Sequence, residues 1–174
     1  MELIVVMVIL GVLAAVAIPK FSNLTEQARI NIIENIRSSA ITANVMFNLE
    51  NKVSDYSVKV CPNFSPVGRI SDVYLDGRPV TPGNCPSGSV TEDDDGLVRL
   101  IWGWIDNTHL HKVLMLNKDD DTLIFRDQGY ANLYIGYDLD GNGSPINDNC
   151  YFLYVQSSTQ GVDPQYSTVT SGCH

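Results

Sequence analysis

The hydrophobic pattern of the 174-residue chain falls into three unlike stretches. Residues 3–18, LIVVMVILGVLAAVAI, are sixteen uncharged and mostly large apolar residues, preceded by one carboxylate, Glu2, and followed by Pro19 and Lys20. After Pro19 the pattern becomes periodic. Phe21, Leu24, Ala28, Ile32, Ile36, Ala40, Ala43 and Phe47 recur at spacings of three and four, the stripe of an amphipathic helix. Ile33, Ile41, Val45 and Leu49 widen that stripe enough for docking on a sheet, and Asn51-Lys52 ends it. Glu34 and Arg37 stand three apart on another face, a solvated pair worth only about 0.2–0.5 kcal/mol.

From residue 53 the period changes again. Residues 53–96 are punctuated by Pro62, Pro66, Pro79, Pro82 and Pro86 and read as a loop-rich region, with a short strand at 73–75 running into an Asp76-Gly77 turn. Beyond it, strands are expected at 97–105, 111–116, 122–125, 132–137 and 151–155. Trp102 and Trp104 then share one face of their strand and face the core. The expected fold class is α+β: a long N-terminal helix, apolar in its first half and amphipathic in its second, packed on an antiparallel sheet of about four strands. Its divisions are 1–20, an apolar assembly or membrane segment; 21–50, the helix that packs on the head; 51–96, the loop-rich region; and 97–174, the sheet with a C-terminal loop.

Charge sharpens this division. Of 20 acidic residues, 16 lie beyond residue 50, against 8 of the 11 basic ones, so the head carries nearly all of the net charge of −9. Such a surface repels phosphate backbones, and no nucleic acid partner is expected. Cys61, Cys85, Cys150 and Cys173 are well separated, with no CxxC pair and no zinc spacing. They point to two disulfides and an oxidising compartment. Three pairings are possible; the sequential one, 61 with 85 and 150 with 173, closes two short loops, each constraining the unfolded chain by roughly 3 kcal/mol.

The apolar N-terminus has three readings. A cleaved secretory signal is disfavoured because no basic region precedes the run. A membrane anchor is possible, although sixteen helical residues span only about 24 Å of a hydrocarbon core about 30 Å thick. An assembly helix, buried against copies of itself, explains Glu2 best. A carboxylate in an apolar bundle needs a cation or a proton. No Lys or Arg lies in the run, so the nearest cation is a neighbouring chain's N-terminal ammonium, and that pairing would set axial register.

At this point the residues resemble a family. Glu2 through Pro19, with its acid, apolar run, Gly11, Leu13-Ala14-Ala15 and Ile18-Pro19, is similar to the N-terminal helix of type IV pilins. Lys20 through Arg29, Asn149-Cys150-Tyr151-Phe152 and Tyr166 through Cys173 resemble the mannose-sensitive haemagglutinin subgroup. The likeness covers about the first fifty and the last twenty-five residues. It implies a major subunit of an extracellular filament on a Gram-negative bacterium, held in the inner membrane before assembly. Identical subunits and the pilus assembly machinery would be its partners, and attachment or motility its purpose. It also implies that Glu2 is the assembly glutamate and that a peptidase removes a basic leader and methylates the new N-terminus. The family usually places Phe-Thr-Leu-Ile before the acid, whereas Met1 alone precedes Glu2 here. Gly11 and Pro19 bracket the weak part of the helix, and a non-helical stretch between them is expected, as in assembled filaments of that family. The rival readings are a type II secretion pseudopilin and a membrane-anchored module that binds glycans.

The strongest chemical motif is Asp138-Leu139-Asp140-Gly141-Asn142-Gly143-Ser144, which matches the start of a calcium loop. Alternating oxygens converge on one hard cation; Asp138, Asp140, Asn142, the carbonyl of Ser144 and Asp148 are the expected ligands. Position twelve, usually a bidentate Glu, is Asn149. The acidic runs 92–95 and 119–121 read as solvated turns, and His109 and His111, two apart on an expected strand, as surface histidines. Asn23, Asn63 and Asn142 begin loose glycosylation motifs. No phosphate loop, nucleophile elbow or Ser/His/Asp arrangement is present, and no enzymatic activity is expected.

Overall fold

The computed structural model describes residues 2–52, 59–60, 70–75, 96–118 and 122–174, with backbone alone for 2–4, 12–22, 59, 60 and 74. One helix, α1 (Glu2–Glu50), takes up 49 residues. It ends where the helical stripe ends: Asn51 N and Lys52 N donate to Phe47 and Leu49 carbonyls, and the chain turns away.

The expected interruption between Gly11 and Pro19 is not there; α1 runs through both. Proline removes one donor from a helix and leaves the other intrahelical bonds in place, and a single chain has no neighbouring subunit whose packing would compensate for breaking more of them. Among the described residues no helix is long and apolar enough to cross a membrane.

Beyond α1 the described residues form two antiparallel sheets, not the single sheet of about four strands that the pattern suggested. The first consists of β1 (Lys59–Val60), β2 (Ile70–Tyr74), β3 (Leu97–Ile101) and β4 (Trp104–Ile105). The second follows a four-residue helix, α2 (Leu110–Val113), and consists of β5 (Ile124–Gln128), β6 (Asn132–Gly136), β7 (Tyr151–Val155) and β8 (Gln165–Val169). In both sheets the strands lie side by side in chain order.

Three expectations fail for identifiable reasons. Residues 97–105 are a hairpin, not one strand. Trp102 and Gly103 both have positive φ, 55° and 84°, the mirror-image turn that suits the twist of paired strands. Ile101 then pairs with Trp104, and Leu100 with Ile105. Trp102 therefore occupies the turn, and the face it was expected to share with Trp104 does not exist. Residues 111–116 are the end of α2 and a turn, not a strand. Leu114 N donates to the Leu110 carbonyl and Leu116 N to that of His111, local bonds that leave no edge for a ladder. Finally, β8 is a strand that alternation did not reveal, because its outward residues, Gln165 and Ser167, and its inward Thr168 are all polar.

One continuous core joins everything. Ile33, Ile36, Ala40 and Phe47 of α1 pack with Val73, Val98, Leu100 and Ile105 of the first sheet and with Leu133, Ile135, Phe152 and Tyr154 of the second. The buried line on α1 follows the expected stripe at Ile36, Ala40 and Phe47, with Ala43 packed beside them, and takes Ile33 from its widened edge; Ile32, Leu24, Val45 and Leu49 are exposed. Two asparagines, Asn44 and Asn48, complete it. Asn44 Oδ1 accepts from Ile105 N at 2.9 Å and lies 3.3 Å from the Tyr154 hydroxyl, which donates at 2.5 Å to the Ile105 carbonyl, and Asn44 Nδ2 donates to the Ala40 carbonyl. Asn48 Nδ2 donates to the Gly103 carbonyl at 3.1 Å. Gly103 has a φ of 84°, which favours glycine, and a Cβ there would stand 2.6 Å from Asn51 Nδ2 and push that amide aside.

Candidate functional site

The β6–β7 connection, residues 137–150, gathers the acids that the sequence singled out. Each of Asp138, Asp140 and Asp148 offers one carboxylate oxygen within 4.8 Å of the others. Local turn chemistry builds this group. Gly141 and Gly143 take positive φ of 74° and 79°, which glycine adopts without a Cβ clash. The reversal lets the Asp138 carboxylate accept from Asn142 N at 3.0 Å and Gly143 N at 2.8 Å. Asp140 accepts from Asn142 N at 3.1 Å and from Asn142 Nδ2 at 2.7 Å. Asp148 arrives from the far end of the loop, its Oδ2 accepting from Leu139 N at 3.0 Å.

These contacts favour the ionised form of Asp138. The Gly143 N–H above all, with further help from Asn142, Asp140 and Gly141, holds the Asp138 carboxyl below its ordinary range, and burial opposes this only in part. Of the five expected ligands, the three aspartates converge. Asn142 Nδ2 donates to Asp140, a bond that does not use the side-chain oxygen expected as its ligand atom. Ser144 Oγ accepts from Ile146 N at 3.4 Å, a bond that does not involve the carbonyl expected as its ligand atom.

Behind the loop, Cys150 and Cys173 form a disulfide; there is no free cysteine among the described residues. Cys61 and Cys85 lie outside the described residues, as do the acidic runs 92–95 and 119–121. The C-terminal segment presses closely on the loop. Gly172 N donates to the Asn149 carbonyl at 3.1 Å, and a Cβ on Gly172 would fall 1.9 Å from the Asp148 carbonyl oxygen. Gly136 has the same constraint against Cys150. Between loop and C-terminus lies a shallow depression of about 420 Å³, bordered by Asp140, Asp148, Asn149, Ser171 and His174.

Arg29 ties this assembly to α1. Its guanidinium donates to the Cys173 carbonyl at 3.0 Å and stands 5.7 Å from the centre of the Tyr137 ring. Five residues further along, Glu34 accepts from the Thr168 hydroxyl at 2.6 Å while keeping a loose contact of 3.8 Å with Arg37. Neither residue stood out by type. The one available signal was position: Arg29 adjoins Ala28 at the edge of the apolar stripe, where a charge must reach a partner across the packed face.

The histidines are not a pair. His109 precedes α2 and is 1% exposed, while the His111 ring meets Phe125 edge-on at 6.3 Å. The Thr108 hydroxyl donates to Asp106 Oδ1 at 2.9 Å and lies 3.1 Å from His109 Nδ1. Its proton is spent on Asp106, so Thr108 accepts from a protonated Nδ1. The other ring nitrogen, Nε2, is buried with no partner. Burial pulls the His109 pKa down from 6.5 to about 4, with Asp106 opposing and Lys112, Arg99 and His111 adding to the fall.

No known protein family, curated protein or solved structure matches the chain.

Proposed function

We propose that the chain is a structural subunit of an extracellular type IV pilus filament, closest to the mannose-sensitive haemagglutinin subgroup, and that it polymerises through the first part of α1. One observation carries this reading. Among the described side chains of α1, the buried ones lie between Ile33 and Asn48, whereas Val5, Val6, Met7, Val8, Ile9 and Leu10 are each more than half exposed. Six consecutive apolar residues pass more than once round a helix, so one flat partner cannot cover them; they require apolar surroundings on every side. Lipid before assembly and a bundle of like helices afterwards both meet that need. At roughly 1.5–3 kcal/mol per fully buried side chain, the gain is of order 10 kcal/mol per subunit. Glu2, at the tip of the run, pairs in this reading with a cation of an adjacent copy and fixes register.

The test is electron microscopy of material sheared from cells bearing the unaltered chain or Glu2→Ala. Filaments from the first, lost in the second, are expected. Filaments equally abundant with Glu2→Ala would overturn the role of that acid, and separate detergent-soluble monomers from the unaltered chain would overturn the filament itself. Filaments seen only on overexpression would favour a secretion pseudopilin.

The same reading gives Asp138, Asp140 and Asp148 a calcium ion. Three hard carboxylate oxygens, brought within 4.8 Å of one another by a glycine-rich loop, suit calcium better than a soft metal. Bound there, it would stiffen the loop beside the Cys150–Cys173 bridge. Calcium is expected to raise the melting temperature of the chain and to leave Asp138→Asn unchanged; equal responses in both would exclude the site.

A further inference from the structure

Residues 142–143 are the chain's only Asn-Gly dipeptide. That pair has its own chemistry, independent of whether the chain forms filaments. The backbone nitrogen after an asparagine can lose its proton and attack the side-chain carbonyl carbon. A bond forms between Gly143 N and Asn142 Cγ, the Cγ–Nδ2 bond breaks, and Nδ2 leaves as ammonia. Water then opens the five-membered imide at either carbonyl, leaving aspartate or isoaspartate. The step consumes water and releases ammonia, with no change of oxidation state. A side chain on the following residue hinders it, and glycine has none.

The structure presents both reacting groups and a brake. Asn142 and Gly143 are exposed, and the space where a Cβ of Gly143 would stand is open to 4 Å. Asn142 Nδ2, the leaving group, rests on Asp140 Oδ2. The Gly143 N–H, the proton that must go, donates to Asp138 Oδ2 at 2.8 Å. A carboxylate in that position stabilises the N–H and opposes the anionic nitrogen that attack requires.

We propose that Asn142 is a site of spontaneous deamidation through Gly143, and that Asp138 sets its rate by holding the Gly143 N–H. The product places a fourth carboxylate within the Asp138–Asp148 loop and adds one negative charge to an already acidic head. Asp138 acts here through its hydrogen bond and takes no part in the covalent change.

The experiment is peptide mass mapping of the full chain after incubation at neutral and mildly alkaline pH, following the one-mass-unit gain at Asn142. The Asn142 peptide should convert before those of Asn117 and Asn147, whose next residues carry side chains, and faster as pH rises. Asp138→Asn should quicken it about tenfold, because a neutral amide oxygen holds the Gly143 N–H without the carboxylate's charge. Asp148→Asn loosens the same loop without touching Gly143 N and should leave the rate near that of the unaltered chain. Conversion at Asn142 no faster than at Asn117 and Asn147 would overturn the site. Equal acceleration by both aspartate variants would overturn the role of Asp138.

Discussion

The two ends of α1 are the same secondary structure under opposite conditions. From Ile33 to Asn48 the helix is amphipathic, and its packed side meets both sheets. At Val5–Leu10 it is apolar all round, and every one of those side chains is exposed. The packed end needs only this chain's own head. The bare end needs surroundings that a single chain does not supply. Apolar periodicity therefore says where a protein folds on itself, and apolar continuity says where it must meet something else.

Truncation separates the two ends most sharply. Ile33→Ala should lower stability by about 2–5 kcal/mol, because the side chain is wholly enclosed and its loss leaves a cavity. Denaturant unfolding of the purified chain measures it.

Acid gives the next effect, again confined to the packed end. Neutral, buried His109 has a folded pKa of about 4 against 6.5 unfolded, so the unfolded chain takes up a proton first. Its contribution is fully present above pH 6.5 and is lost as pH falls towards 4, a change of about 3 kcal/mol at most. Protonation would put a proton on Nε2, where no acceptor lies. His109→Phe should flatten that part of the stability profile; an unchanged slope would mean that another group carries it.

The smallest expected change is at the bare end. Ile9→Ala should alter the unfolding free energy by less than about 0.5 kcal/mol, the usual range for exposed positions, yet reduce filament yield in sheared preparations. A loss of stability as large as that of Ile33→Ala would erase the contrast between the two ends.

Legibility followed the range of the forces involved. The end of α1 at Glu50, the strand at 151–155 and the convergence of Asp138, Asp140 and Asp148 could be read from local pattern, since each depends on residues a few positions apart. The turn at Trp102-Gly103 could not. Tryptophan is a poor candidate for positive φ, and the conformation is held by the seat that Asn48 and Asn51 offer on the helix. The β8 strand was hidden for a related reason: its polar Thr168 faces inward because Glu34, 134 positions earlier, accepts its hydroxyl proton. Asn44 likewise looks like any helical asparagine until Ile105 N and the Tyr154 hydroxyl are brought to it.

By itself, then, the amino-acid order determined the long helix and its two characters, the antiparallel strands with strong alternation, and the carboxylate loop with its glycines. These rest on backbone preferences and on contacts within a turn or two. Tertiary structure alone decided that there are two sheets, that Asn44 and Asn48 join the buried face of α1, and that Arg29 latches the C-terminal disulfide loop onto the helix. Each of those depends on groups far apart in the chain, whose polar atoms find partners only once the core has closed around them.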